Sequence, residues 1–472
     1  MENVKSVIEP ALARAFEEAL AYLDRLPTAP VAPTADLATM RARLNRVLPA
    51  EGIPAEEVIT ELVRDVEGGL VGCAGGRFFA WVIGGAVPAA LAADWLTSTW
   101  DQNAGIYASG PAAAVVEEVA GGWLKEIFGL PARASFAFVT GCQMAHVTCL
   151  AAARHCLLAR RGWDVEERGL SGAPPISILT SSERHGTVAR AARLLGLGKQ
   201  ALIDLPSDRQ GRLQPETLER ALSGHGDAPA IVLLQAGDLN GGAYDPFDTL
   251  IPMAHQRGAW VHVDGAFGLW AAASPRYRHL LEGVGRADSW ATDGHKWLNV
   301  PYDSGYAFVA DAAAHRASMS HRESYLIHAS EGRDQMDWNP EWSRRARGFT
   351  TYAALRELGR EGIADLVDRC CRNAHELVTQ IGRLAGAEML AEPIINQGLV
   401  RFLDRRMGAA EADHDRRTDE VIADIVASGE AFFGGVTWRG RRAMRVSVCN
   451  WQTSDEDVRR VVKAVEVILT RR

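Results

Sequence analysis

WVHVDGAFGLW (260–270), followed by ADSWATDGHKWLNVPYDSG (287–305), decides the fold of this 472-residue chain. Asp264 closes an apolar, β-branched run, and Lys296 stands 32 residues later in a His-Lys-Trp triplet, just past a second short apolar run. Each run reads as a buried strand, which puts a carboxylate and an amine at the ends of two strands. That pairing suits the gripping of pyridoxal phosphate. The lysine condenses with the aldehyde, and the carboxylate keeps the pyridine nitrogen protonated so that the ring accepts electrons. A loop-capping Asp264 and a surface Lys296 would explain each residue singly, but not the two together with His185.

Outward from this stretch, short apolar runs alternate with helical patterns between Ser135 and Val309. The candidate strands are 135–140, 176–180, 201–205, 231–235, 259–264, 289–293 and 305–309, with helices over 144–160, 187–196, 215–222 and 250–257. Such alternation predicts an α/β fold with a mainly parallel seven-stranded sheet covered by helices. Ligands of open sheets bind at the carboxyl ends of the strands, where Thr140, Asp264 and Asp293 fall.

His185 follows a predicted strand and opens a helix, a place from which a flat imidazole can stack on a cofactor ring. A local helix-start hydrogen bond is the alternative role. A phosphate calls for backbone amides at a helix N-terminus. The turn TGCQMAH (140–146) supplies one, with amides near Cys142 and Gln143 and the Gln143 side chain as a donor. His295, directly before the lysine, can reach the phosphate or the ring oxygen.

The flanks differ in texture. Residues 1–75 read as a helical arm interrupted by TAPVAPTADL (28–37), too thin to bury its own apolar face, so packing on a second subunit is expected. Residues 76–347 form the cofactor-binding unit, which begins with an extended segment, RFFAWVIGG (77–85). Residues 348–472 read as a smaller α+β domain whose last helix is capped by Ser454 with Asp457. With 47% hydrophobic and 23% charged residues the chain is globular, and its net charge of −8 argues against nucleic-acid binding. No apolar run reaches membrane-spanning length, and the N-terminus lacks a signal-peptide core, so a cytoplasmic location is expected. Seven cysteines, with no pairs at metal-ligand spacing, point away from disulfides and from a metal site.

These residues carry a resemblance. The chain is similar to the group II pyridoxal-phosphate-dependent decarboxylases, the family of the aromatic-amino-acid, histidine and glutamate enzymes. The shared features are the segment at 77–85, the TGCQMA turn, the E-x-H segment with His185, HVDGA, the DGHKW box, SRRARG (343–348), LRELGREGI (355–363) and MRVSVCNWQTSDEDV. The resemblance implies the aspartate-aminotransferase-like fold, PLP fold type I, and a homodimer with its sites at the subunit interface. It makes Lys296 the lysine that carries the cofactor, Asp264 the partner of the pyridine nitrogen and His185 the stacked ring. Ala266 would pack on the opposite ring face, and Asp293 would lie near the phosphate. Trp81, Val82, Ile83, Gly84 and Gly85 would line the substrate pocket, with Gln335 as a further substrate residue. The implied reaction is decarboxylation of an L-amino acid to an amine and CO2. The chain departs from the family pattern at Gln143, where a hydroxyl is usual, and at Gly294, where Pro or Ala is frequent. A loop tyrosine found in many members is replaced at the matching position by Gln335, and Tyr325 is the nearest upstream candidate. Without that tyrosine, oxygen-dependent deamination to an aldehyde is the alternative outcome, and transamination or lyase chemistry is a further one. Arg439 and Arg445 can bind a distal acid, although a structural ion pair is expected for Arg445.

Overall fold

The computed structural model describes residues 4–321 and 332–471. Three helices come first, α1 (Val4–Arg25), α2 (Leu37–Leu44) and α3 (Ala55–Val66), then α4 (Pro88–Trp100) and α5 (Pro111–Phe128). Seven strands follow: β1 (Ser135–Val139), β2 (Ser177–Ser181), β3 (Leu202–Leu205), β4 (Ala230–Gln235), β5 (Trp260–Asp264), β6 (Ser289–Asp293) and β7 (Gly305–Val309). Between and after them run α6 (Cys142–Ala159), α7 (Val165–Arg168), α8 (Gly186–Leu194), α9 (Pro215–His225), α10 (Phe247–Gln256) and α11 (Ala312–Met319). The strands form one sheet in the order β1-β7-β6-β5-β4-β2-β3, in which only β7 runs antiparallel to its neighbours. The expected mainly parallel seven-stranded α/β sheet is therefore present, and the strands at 289–293 and 305–309 have the expected limits.

Four of the largest fully buried side chains, Trp260, Trp270, Trp290 and Trp297, belong to the stretch quoted first. A buried tryptophan removes about 150–250 Å² from water, worth roughly 4 kcal/mol or more before chain entropy is set against it. Three of the indoles are also satisfied: Trp260 Nε1 donates to Ser289 Oγ, Trp270 Nε1 to Asp293 O and Trp290 Nε1 to Val284 O, each at 2.9 Å. Packing and hydrogen bonding together lock β5 and β6 in register. Gln235, Asp264 and Ala291 lie side by side, as do Asp293, Gly305 and Val139.

The C-terminal part holds α12 (Gly348–Gly382), β8 (Ala387–Ala391), β9 (Gln397–Phe402), α13 (Glu411–Ala427), β10 (Gly434–Trp438), β11 (Arg441–Ser447) and α14 (Asp455–Thr470). Its four strands make an antiparallel sheet in the order β10-β11-β9-β8. Helix α12 breaks at Gly359, where φ is +60°, and packs on α4 and α5 as well as on β9 and α14. The Ser454–Asp457 capping box on α14 is formed as expected. Helix α5 was not apparent from the sequence because Gly121-Gly122 interrupts its helical pattern. Gly121 is needed there: a Cβ would sit 2.8 Å from the Phe136 ring.

Candidate active site

The carboxyl ends of β1, β2, β4, β5 and β6 meet at one edge of the large sheet. There a pocket is lined by Trp81, Val82, His185, Gln235, Gly237, Leu239, Asp264, Ala266, Phe267, Lys296 and Arg445. Lys296 sits in a π-type turn, Gly294–Leu298, a wide-wound geometry common at functional sites. Asn299 closes the turn in the left-handed region, its side chain donating to Trp297 O at 2.9 Å and to Cys449 O at 2.8 Å. Gly84 rests directly on this turn, so close that a Cβ would lie 1.8 Å from Lys296 O.

Lys296 Nζ lies 2.9 Å from Asp293 Oδ2. Burial pulls the amine toward its neutral form, but Asp293, with help from Asp264, outweighs this and holds the ammonium above its ordinary range. Asp264 is buried, and its Oδ1 accepts from Ala266 N at 3.1 Å. Burial alone would raise its carboxyl, yet His146, His185 and Lys296 together hold it below the usual carboxylate range. An ionised carboxylate is what a pyridinium nitrogen needs as a partner.

His185 takes the helix-capping role considered for it and also stands in the pocket wall. Its ring caps α8, with Nδ1 accepting from Thr187 N at 3.3 Å and lying 2.8 Å from Thr187 Oγ1, and the same ring lines the pocket beside Asp264 and Lys296. Burial of the ring lowers its basicity, which favours a neutral imidazole, the form suited to stacking. Ala266 lies in the same wall, and its carbonyl accepts from Asp293 N at 2.9 Å.

At the start of α6, both amide atoms of Gln143 are buried without a hydrogen-bond partner. An unsatisfied buried amide at a helix N-terminus fits a phosphate acceptor. The Cys142 amide differs from expectation: it donates to Asp293 Oδ1 at 2.5 Å. Asp293 thus stands between Lys296 and the N-terminus of α6, and takes one of the amides expected to face the phosphate. His295 abuts the same turn, its Nδ1 accepting from Ser304 N at 3.1 Å and its ring stacked on Tyr302 at 4.3 Å. Burial lowers its basicity.

The expectations about substrate residues divide. Trp81 and Val82 line the pocket, and both hold positive φ, +55° and +61°, which is costly for a β-branched residue and is typical of strained functional loops. Ile83 turns away into a cluster with Val31, Phe78 and Ala80, and Gly84 serves the backbone contact described above. Gln335 is not at the pocket. It is fully buried, donating from Nε2 to Ala114 O at 3.5 Å and bonded to Arg333, so its side chain belongs to the core. Tyr325 lies outside the described residues.

Arg445 corrects another expectation. It lines the pocket and has no ion pair among the described residues, while burial lowers its basicity and Asp238 is the one acid felt nearby. Strand periodicity cannot show that β11 brings this side chain to the pocket at the edge of the large sheet. Arg439 lies elsewhere, bonded to Asp208 O and Ser207 Oγ. Gln235, Gly237, Leu239 and Phe267 also escaped notice, because no motif marks them.

Comparison with known proteins places this arrangement. Residues 38–403 match the family model of the pyridoxal-dependent decarboxylase conserved domain. The aromatic-L-amino-acid decarboxylase of Bacillus atrophaeus is 23% identical over 454 residues, covering 95% of this chain and 92% of that protein. Tryptophan decarboxylase 1 of Oryza sativa subsp. japonica is 27% identical over 466 residues, covering 93% and 89%. The crystal structure of Oryza sativa TDC with PLP and tryptamine shares the fold, with a TM-score of 0.91, 24% identity and 99% coverage of both chains. Among the described residues no helix is long and apolar enough to cross a membrane. With a family match over most of its length and a site that fits the cofactor, the chain belongs to the pyridoxal-dependent decarboxylases, and pyridoxal phosphate is its cofactor.

Proposed function

We propose that this enzyme converts an L-amino acid to the corresponding amine and CO2, with Lys296, Asp264 and His185 as its central residues. The observation that carries the reading is the meeting of these three side chains in one pocket. When bound, pyridoxal phosphate supplies the electron sink that receives the bonding pair as CO2 departs. Lys296 Nζ would hold the cofactor covalently through its aldehyde carbon. Asp264 keeps the pyridine nitrogen protonated. His185 and Ala266 confine the ring, and Gln143 with the N-terminus of α6 receives the phosphate. His295 and Asp293 border that end. Arg445 gives the pocket a positive charge for an acidic group of the substrate, and Trp81 with Val82 shields the reacting carbon from water. Trp81, held against Phe78 and Phe432 on its far side, presents an apolar face to the substrate. Within the described pocket, Lys296 Nζ and the ring nitrogen of His185 are the groups able to return a proton to carbon.

We further propose that the working unit is a homodimer with its site at the subunit interface. None of the 22 residues of α1 is buried, and Val4, Leu12, Phe16 and Leu20 expose apolar surface that calls for a partner. Seven cysteines without a disulfide suit a reducing compartment such as the cytoplasm. The test of the reaction is Lys296→Ala. The variant should lose the visible absorbance of the bound cofactor and all release of CO2, whereas an unchanged spectrum would remove the assignment. In the wild-type enzyme, amine and CO2 should form in equal amounts without peroxide. Peroxide formed in step with CO2 would replace this reading by oxidative deamination.

A further inference from the structure

Behind Asp264 lies a row of buried polar side chains that the reaction above leaves without a task. Trp260 Nε1 donates to Ser289 Oγ at 2.9 Å, and Ser289 Oγ lies 2.9 Å from His262 Nδ1. His262 Nε2 lies 2.9 Å from His146 Nδ1, and His146 Nε2 is 3.4 Å from Asp264 Oδ2. His146, His262 and Ser289 have no exposed surface. Three elements build the row. Sheet register sets His262 on β5 opposite Ser289 on β6, and His146 stands one turn into α6, its ring edge-to-face with His262 at 84°.

Donor and acceptor logic fixes the link that matters. Asp264 is ionised and can only accept, so the His146 nitrogen facing it carries a hydrogen. With His146 neutral, Nδ1 accepts from His262 Nε2–H, and His262 Nδ1 accepts from the Ser289 hydroxyl. With His146 doubly protonated, both outer links reverse and Ser289 Oγ accepts from His262. In either state His146 Nε2 carries a hydrogen 3.4 Å from Asp264 Oδ2, while Cys142 Sγ, 3.5 Å from the same nitrogen, turns its own hydrogen toward Asp264 Oδ1, so every nitrogen in the row keeps a partner. Burial and the neighbouring His146 push His262 down to about 3. The other titratable groups facing Asp264 are Lys296, His185 and the Cys142 thiol, whose Sγ is 3.9 Å from Oδ1 and which burial keeps protonated.

We propose that His146, held in place by His262 and Ser289, is a positioning residue that fixes the orientation and charge of Asp264, and through it the protonation of the cofactor's ring nitrogen. The inference rests on the cofactor assignment above.

Holoenzyme variants His146→Ala, His146→Gln and Ser289→Ala test it. The readouts are the dissociation constant for pyridoxal phosphate, the pH midpoint of its visible absorbance, and the imidazole N–H resonances of histidine-¹⁵N-labelled wild-type protein. Loss of one hydrogen bond to a charged group should weaken cofactor affinity about tenfold in His146→Ala and displace the pH midpoint. His146→Gln, which keeps an N–H donor, should recover most of the affinity. Ser289→Ala, two links away, should move both readouts in the same direction by less, and it keeps the test open should His146→Ala not fold. The resonances should show a hydrogen on His146 Nε2. A bare Nε2, affinity and pH midpoint unchanged within about twofold in His146→Ala, or His146→Gln no better than His146→Ala would each overturn the proposal. The resonances are read without cofactor as well, so failure of the Lys296→Ala test would overturn the cofactor assignment separately from the histidine row.

Discussion

Asp293 is the residue on which two demands collide. Its carboxylate pairs with Lys296 through one oxygen and takes the Cys142 amide through the other, at the helix terminus proposed above to receive the phosphate. The pairing raises the Lys296 ammonium above its ordinary range and so keeps the amine from its nucleophilic form. Asp293→Asn removes the charge while leaving the shape. Lys296 should then lose its proton at lower pH, and apoenzyme mixed with pyridoxal phosphate at neutral pH should load several-fold faster and hold the cofactor more tightly. Stopped-flow absorbance measures both, and slower loading would show that Asp293 instead assists the condensation.

At the scale of elements, the site depends on how α5 is tied to the chain that enters α12. Arg344 and Glu117 form an ion pair at 2.8 Å with no exposed side-chain surface on either partner. Arg344 also donates to Ala104 O at 3.0 Å and to Phe138 O at 2.6 Å, which joins α5, β1 and the segment before α4's partner helix α12. Burial raises the Glu117 carboxyl, against the pull of Arg344. Removing one partner strands the other in the core. Arg344→Ala should therefore lower unfolding free energy by about 3–5 kcal/mol in urea titrations of the apoenzyme. Arg344→Met with Glu117→Leu together should cost far less, because no charge is left unpaired. A loss below about 1 kcal/mol in the single variant would show that water reaches the pair.

At the scale of the whole molecule, the N-terminal arm has more apolar surface than its own chain can cover. Leu12 and Leu20 stand on one side of α1 and are about half exposed, 54% and 47%. Charged replacements there cost an isolated subunit little, since a glutamate can turn its carboxylate into the exposed half. Leu12→Glu with Leu20→Glu should convert a dimer to monomers in light scattering and reduce decarboxylation with it, while each subunit keeps its helical circular dichroism. A double variant that stays dimeric would move the interface elsewhere.

Much of the candidate site was legible in the sequence because the covalent chemistry of the cofactor demands a few residue types at strand ends. HVDGA and DGHKW meet that demand through local patterning, and the tryptophans around them mark the strands as buried. The sheet itself followed from alternation of short apolar runs with helical ones. What local pattern could not reveal was every relation that depends on long-range packing. His146 reads as one more residue in an apolar helix until β5 brings His262 against it. Arg445 reads as a strand residue until the small sheet places it at the pocket on the edge of the large one. Gln335 aligned with a catalytic loop position, yet its side chain is buried beneath α5, since spacing along a chain does not determine which way a side chain turns. The sequence determined which chemical groups were present and the period of each element. Tertiary structure alone decided which of those groups face one another, because side-chain proximity between distant segments is set by packing and not by any local pattern.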